Sequence, residues 1–156
     1  MKLTQKETNI LNDLKAQEQL CVEKYEKYSS NADDESLRQV FTEIGKMEKQ
    51  HLNTINKILK GSVPNINTEG QDSKQKKKSG KIQTNAVSGQ YNKNDCYLCS
   101  DALASEKHVS STYNTGIFEF KDPKIRQVLN HIQKEEQQHG EKIFDYMAAT
   151  GMYPTE

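Results

Sequence analysis

The sequence predicts an all-α fold, an antiparallel four-helix bundle made of two repeated helical hairpins. Four segments carry apolar residues at helical spacing, in steps of three and four. One arrangement of glutamate and histidine occurs twice with the same spacing, and its two copies are 88 residues apart. A polar stretch separates the copies at residues 61–94. Together these features predict a single domain over residues 1–156, with one hairpin at 4–60 and another at 95–150.

The first hairpin has clear start and stop signals. Its first helix is expected to begin at Thr4, because Glu7 three residues later completes a capping box. Its second helix is expected to begin after Asp34 and to stop at Gly61. The apolar stripe of the first helix contains Ile10, Leu14, Glu18, Cys21, Tyr25 and Tyr28. The stripe of the second contains Leu37, Phe41, Ile44, Glu48, His51, Ile55 and Ile58.

The second hairpin repeats this design. Its last helix is expected to begin with Asp122 as the N-cap and Pro123 in the first position, and to end near Gly151. The stripe of the third helix contains Cys99, Ala102, Glu106, Val109 and Tyr113. The stripe of the fourth contains Ile125, Leu129, Ile132, Glu136, His139, Ile143 and Met147.

Four glutamates and two histidines lie in these stripes, where apolar residues are expected. In each hairpin a lone glutamate precedes a Glu-x-x-His motif by 30 residues, and residues equidistant from a turn lie at the same height. A buried charge must be paired or bind a metal, and the stripes contain no Lys or Arg. Because carboxylate and imidazole suit iron and manganese, we expect a dinuclear site with two iron ions, or manganese as the substitute. Its ligands would be Glu18, Glu48, His51, Glu106, Glu136 and His139. Buried salt bridges without metal are the alternative.

Other polar residues near these stripes leave more than one interpretation open. Tyr25 and Tyr113 either hydrogen-bond the ligating carboxylates, as residues that support the metal site, or are plain core aromatics. Glu135 either supports a ligand across the bundle or, as we expect, lies in solvent. His108 and His131 belong to no motif and are expected at the surface.

The cysteines do not predict a disulfide framework or a zinc site. Three cysteines are too few for such a framework, and this indicates a reducing compartment. Cys96 and Cys99 form a single Cys-x-x-Cys at a helix start, where a closed zinc site would need a second pair. We therefore expect a small buried thiol at Cys99 and an incidental Cys96.

Composition excludes several function classes. The net charge is zero, so no nucleic-acid partner is expected. No apolar run approaches the length of a membrane span, and the N-terminus lacks the apolar core of a signal peptide. We expect a cytoplasmic protein unless it is carried elsewhere, and the sequence assigns no catalytic residue.

The polar stretch at 61–94 is expected to be a mobile linker and the long crossover of the bundle. It contains the basic run Lys74-Gln75-Lys76-Lys77-Lys78. This run is expected to be a solvated spacer, with a docking patch for an acidic partner or surface as the alternative.

The duplicated Glu and Glu-x-x-His pattern, with a tyrosine seven residues after each lone glutamate, resembles the ferritin-like di-iron carboxylate proteins, including rubrerythrins and bacterioferritins. The resemblance implies that Glu48 and Glu136 bridge the irons and that Glu18 and Glu106 are terminal ligands. The chain lacks a rubredoxin module and a fifth helix, so neither a rubrerythrin-type peroxidase nor an iron-storage cage is expected.

The C-terminal half also resembles the spore coat protein F family. The similarity runs from Asp95 through Ser111-Thr112-Tyr113-Asn114-Thr115 and Glu135-Glu136-Gln137-Gln138-His139 to Tyr153. It implies a spore-forming bacterium and a protein that ends up in the spore coat, with other coat proteins or a second copy of the chain as partners.

These observations predict a di-iron protein that reacts with O2 or peroxide and protects the cell or spore against oxidants, with an electron donor of unknown identity. The alternative is a structural spore-coat protein whose metal site is purely structural or absent.

Overall fold

The computed structural model describes residues 2–66 and 91–153. Within these ranges the chain forms four α-helices: α1 (Gln5–Asn31), α2 (Glu35–Leu59), α3 (Lys93–Glu119) and α4 (Pro123–Ala149). α1 packs along α2 and α3 packs along α4, and the two hairpins meet through α1 against α3 and α2 against α4. The predicted all-α bundle of two hairpins is confirmed.

The helix ends follow the predicted signals closely. Thr4 and Glu7 form the capping box of α1, and Asp34 is the N-cap of α2. Asp122 caps α4 with Pro123 in the first turn. Gly61 and Gly151 follow the ends of α2 and α4 with φ of 87° and 76°, a left-handed conformation that glycine adopts without a Cβ clash.

Each hairpin turn is held by a buried carboxylate from the other hairpin. Asp95 at the start of α3 accepts hydrogen bonds from the amides of Asp33 (2.7 Å) and Asp34 (3.0 Å). Glu7 at the start of α1 accepts one from the amide of Lys121, at 3.0 Å. Glu7 and Asp95 are 88 residues apart in the sequence, as are Asp33 and Lys121. The repeat therefore extends to the ends of the bundle, and α1 and α3 run antiparallel.

This arrangement separates the two ends of the segment between the hairpins. Because every adjacent helix pair is antiparallel, the end of α2 and the start of α3 lie at opposite ends of the bundle, so residues 60–92 connect one end to the other. Val63 and Ile66 pack against the core. Most of the mobile linker expected at 61–94, including the basic run Lys74–Lys78, falls on residues 67–90, which lie outside the described residues.

The apolar core consists of two clusters, one toward each end of the bundle, with the six glutamate and histidine residues between them. Leu11 is fully buried, whereas Ile10 and Tyr28, which we expected in the α1 stripe, are only partly buried. The buried face of α1 contains Glu18, Leu14 and Leu11, and Ile10 lies at the edge of this face. There Ile10 Cγ2 would be 3.3 Å from a Cβ on Gly116, which indicates close packing of α1 on α3.

Candidate metal centre

The structure brings all six predicted ligand residues together at the middle of the bundle. Donor atoms of Glu18, Glu48, His51 and Glu136 lie within 4.8 Å of one another. Donor atoms of a second group, Glu48, Glu106, Glu136 and His139, satisfy the same limit. Glu48 and Glu136 belong to both groups, which is the position that a ligand shared by two ions would occupy.

His51 of α2 points one ring nitrogen into the cluster. Its Nδ1 lies 3.0 Å from Glu136 Oε1, 3.3 Å from Glu48 Oε2 and 3.8 Å from Glu18 Oε2. The i, i+3 spacing of the motif puts Glu48 and His51 on the same face of α2. Nδ1 is therefore the atom of His51 available to a metal.

His139 of α4 occupies the equivalent place in the second hairpin. Its Nδ1 lies 3.1 Å from Glu48 Oε1, 3.4 Å from Glu136 Oε2 and 3.6 Å from Glu106 Oε2. The two imidazoles stack with their ring centroids 5.6 Å apart. The site is thus built from two nearly equivalent halves, one from each hairpin.

The cluster is buried and rich in oxygen atoms that lack hydrogen-bond donors. None of its six side chains is more than 3% exposed. Within the described part of the chain, Glu18 Oε2, Glu106 Oε2 and both carboxylate oxygens of Glu136 accept no hydrogen bond, although the histidine nitrogens lie near them. No Lys or Arg is among the buried residues of the described chain. Protons or metal ions must therefore balance the four carboxylates.

The pKa values of the metal-free cluster divide its groups into pairs. Burial and the neighbouring carboxylates raise the pKa of Glu18 well above its usual value, and burial raises the pKa of Glu106 to about 8. Burial also opposes the charge on Glu48 and Glu136, but the two imidazoles that lie against their carboxylates lower their pKa values overall.

The pKa values of the two imidazoles are raised. Burial alone would lower the pKa of both rings, but the surrounding carboxylates outweigh it. They raise the pKa of His139 to about 11 and that of His51 well above its usual value. These shifts favour the charged forms of Glu48, Glu136 and the two imidazoles, and the neutral forms of Glu18 and Glu106.

Two tyrosines each donate a hydrogen bond to a cluster glutamate that belongs to the other hairpin. Tyr25 donates its phenolic hydrogen to Glu106 Oε1, and Tyr113 donates to Glu18 Oε1. Both tyrosines are fully buried. Of the two interpretations left open by the sequence, the contact with a carboxylate is the one observed. Each bond leaves the Oε2 atom of its glutamate facing the cluster.

Glu135 does not lie in solvent as we expected. Its Oε2 is 2.9 Å from His51 Nε2, and its Oε1 is 3.4 Å from Nε2 of His131, which is only partly exposed. The observed contact, from Glu135 of α4 to His51 of α2, is the alternative that the sequence left open, support of a ligand across the bundle. The equivalent position in the first hairpin is Met47, so the sequence repeat does not supply a matching carboxylate there.

Cys96, Cys99 and His108 are not part of the cluster, whereas Cys21 lies next to it. Cys99 is fully buried and Cys96 partly so, both as free thiols, and His108 is exposed as expected. Cys21, the third free thiol, is buried beside Glu18, and burial and the carboxylates raise its pKa.

Comparison with known proteins identifies one family. Residues 94–156, less than half of the chain, match the Coat F domain family. This confirms the resemblance of the C-terminal half, which contributes Glu106, Tyr113, Glu136 and His139 to the cluster. No curated protein and no solved structure gives a significant match, and the resemblance to ferritin-like di-iron proteins stays a prediction. Among the described helices, none has both the length and the apolarity needed to cross a membrane.

Proposed function

We propose that this protein is a spore-coat component whose helical bundle binds two divalent metal ions, iron with manganese as the substitute. Association with the coat is supported by the match of residues 94–156 to the Coat F domain. The metal site rests on one observation: four buried carboxylates surround two imidazoles with no buried Lys or Arg among the described residues.

The donor set fits a pair of divalent ions. Four carboxylates neutralise two doubly charged ions, and the neutral imidazoles complete a set of oxygen and nitrogen donors suited to iron or manganese. Glu48 and Glu136 would bridge the ions. Glu18 with His51 would complete one site, and Glu106 with His139 the other. The carboxylate oxygens that lack hydrogen bonds would become ligand atoms.

The surrounding side chains would hold these ligands in position. Glu135 contacts His51 Nε2 and so directs Nδ1 toward the cluster. Tyr25 and Tyr113 hold one oxygen each of Glu106 and Glu18 and leave the other free. Because each of these contacts joins different helices, the bundle itself fixes the geometry of the site.

Reaction with O2 or peroxide is the chemistry that a bound iron pair would supply. Glu106 and Glu136 line part of a groove between α3 and α4, so the cluster lies close to the protein surface on this side. We infer a role in protection against oxidants, with electrons from a donor of unknown identity.

A structural coat protein is the competing function, and the Coat F match supports it equally well. In that case the bundle would be a building block of the coat, and the cluster would bind inert metal or only protons. The two functions differ in what happens after metal is bound, so they can be separated in the purified protein.

The test is to count metal and then add an oxidant. The chain is purified without oxygen, incubated with Fe(II), freed of excess metal and analysed for iron, and hydrogen peroxide is then added. Two irons per chain with a fast absorbance change support the oxidant chemistry, whereas two unreactive metals support the structural role. Glu136→Ala should reduce the metal content, and Glu141→Ala, a surface change on the same helix, should not.

Coat association needs a separate test. A tagged full-length chain is expressed in a spore-forming bacterium, and spore-coat extracts are compared with the cell cytoplasm. We expect the protein in the coat extract, for the Glu136→Ala variant as well as for the unaltered chain. Absence from the coat would contradict this part of the proposal without affecting the metal site.

A further inference from the structure

The outer surface shared by α1 and α3, called here the α1–α3 face, carries the three most exposed large apolar side chains of the described residues. Phe118 is 82% exposed, Tyr97 68% and Leu20 60%. Tyr97 and Phe118 lie near the two ends of α3, and Leu20 lies in the groove between α1 and the middle of α3. A single exposed side chain of this kind is ordinary, but three on one face indicate a surface that another molecule covers.

The exposed residues of α3 follow nearly the same order in both directions. Tyr97, Ala104, Ser111 and Phe118 are exposed and occur at intervals of seven, so they form one row along the helix. Tyr97 and Phe118 are equidistant from the midpoint between residues 107 and 108, and so are Ala104 and Ser111. If two copies of α3 lie antiparallel about that midpoint, aromatic rings face each other at both ends and small side chains face each other between them.

The exposed row of α1 is self-complementary in charge. Asp13, Leu20 and Lys27 are exposed and are also seven residues apart. Neither Asp13 nor Lys27 forms an ion pair with another described residue. In two antiparallel copies of α1 centred on Leu20, Asp13 of each copy would face Lys27 of the other copy. The row therefore matches opposite charges only when it meets its own copy in this direction.

The centres of these two rows lie at the same height of the bundle. Gln17 donates a hydrogen bond to Thr112 Oγ1, and Lys24 donates one to Ser105 Oγ. Because α1 and α3 run antiparallel, these two contacts put Leu20 level with the middle of the α3 row to within about one residue. A single twofold axis perpendicular to the helices therefore pairs α1 with α1 of the second copy and α3 with α3 at the same time.

The α1–α3 face is large enough for a stable contact between two copies. Two adjacent helices over this length form a surface of about 30 Å by 20 Å, so about 1,200 Å² would be buried in total, the lower end for specific interfaces. The net charge of the chain is zero, so two copies do not repel each other overall. Lys107, which is close to the axis, points to the groove between α3 and α4 and thus lies beside the face.

We propose that the α1–α3 face binds the same face of a second copy of this chain in an antiparallel, twofold-symmetric dimer. A contact of this kind uses the face of both copies and is closed, so it yields a dimer and not a filament. The metal cluster lies inside each bundle, so the dimer does not depend on the proposed metal site or on its chemistry.

Sedimentation equilibrium of the full-length, metal-free chain tests the dimer. We expect a monomer–dimer equilibrium with a dissociation constant in the micromolar range. Leu20→Asp places two carboxylates at the axis, and Phe118→Ser removes a ring from both ends of the contact, so each should weaken the dimer at least about tenfold. Both positions are exposed, so the fold should be kept, and circular dichroism checks this. Asp145→Lys, on the exposed side of α4, is the control and should leave the dimer unaltered.

Charge reversal tests the antiparallel pairing. Asp13→Lys should weaken the dimer by about tenfold, because two opposite-charge contacts become like-charge contacts with Lys27. Adding Lys27→Asp to the same chain exchanges the signs of both pairs, so the double variant should dimerise nearly as well as the unaltered chain. A chain that stays monomeric, assemblies larger than a dimer, or a dimer that the Leu20 and Phe118 changes leave intact would overturn the inference. A double variant as weak as Asp13→Lys would overturn the antiparallel pairing of α1.

Discussion

Tyr113 of α3 donates a hydrogen bond to Glu18 of α1, and this contact joins the two hairpins inside the cluster. Glu18 Oε2 already lacks a donor among the described residues. The hydroxyl of Tyr113 is thus the donor from the opposite hairpin that hydrogen-bonds Glu18, at Oε1. The equivalent bond from Tyr25 to Glu106 follows the same repeat.

Replacing Tyr113 by Phe should destabilise the metal-free protein. The change leaves a buried carboxyl group without its donor, which costs about 1–3 kcal/mol. The loss is measured by urea unfolding, with the exposed Tyr97→Phe as the matched control. Equal stabilities for the two variants would show that the Tyr113 bond contributes nothing.

Metal uptake should release protons. The raised pKa values of Glu18, Glu106, His51 and His139 favour the protonated form of each group in the metal-free cluster. These groups must be deprotonated to become ligands, so protons should leave as the two ions bind at pH 7. Protons compete with metal, so the affinity should rise with pH. Calorimetry in buffers with different ionisation enthalpies measures the release, and a value near zero would contradict this protonation pattern.

Glu135→Gln should weaken one of the two metal sites. Glu135 contacts His51 Nε2, and loss of such support lowers metal affinity by about 10-fold or more. Met47 occupies the position equivalent to Glu135 in the first hairpin, so the repeat supplies no matching carboxylate for His139, and the second site should change less. Competition with a metal chelator measures both affinities, and Asp145→Asn on the exposed side of α4 serves as the control. Equal weakening of both sites would argue against a local role for Glu135.

The contribution of Glu7 to stability should depend on pH. Hydrogen bonds from the amides of Thr4 and Lys121 lower its pKa below the ordinary value of 4.5. A carboxyl group with a lowered folded-state pKa stabilises the protein above its unfolded pKa, and this contribution is lost as the pH falls through the folded value. Glu7→Gln should therefore be less stable than the unaltered chain at pH 7, with the difference shrinking in acid. Thermal unfolding from pH 7 to pH 3 measures it, and a difference that does not vary with pH would contradict the linkage.

The sequence predicts features that depend on one helix at a time. Glu18 and Glu48 could be assigned to the core because they continue an apolar stripe at helical spacing. The caps at Thr4 and Asp122 have local chemical signatures, and both were found. The fixed offset of the repeat then places the second set of ligands.

Contacts between side chains of different helices could not be predicted from the pattern of a single helix. These contacts depend on how each helix is rotated against its neighbours. Examples are the contact between Glu135 and His51, the turn held by Asp95 and the groove between α3 and α4. Periodicity gives the buried face of a helix to within about one residue, so Ile10 was expected where Leu11 lies. The repeat offset does indicate one such contact, because Glu7 and Asp95 are equivalent acidic residues at equivalent helix starts.

The most direct test of the metal site is a crystal structure of the full chain loaded with Fe(II), with anomalous diffraction recorded at the iron edge. We predict two peaks in the middle of the bundle, one among Glu18, Glu48, His51 and Glu136 and the other among Glu48, Glu106, Glu136 and His139. Glu48 and Glu136 should contact both ions. A map without an anomalous peak in this cluster, from protein given excess iron at pH 7, would contradict the proposed dinuclear site.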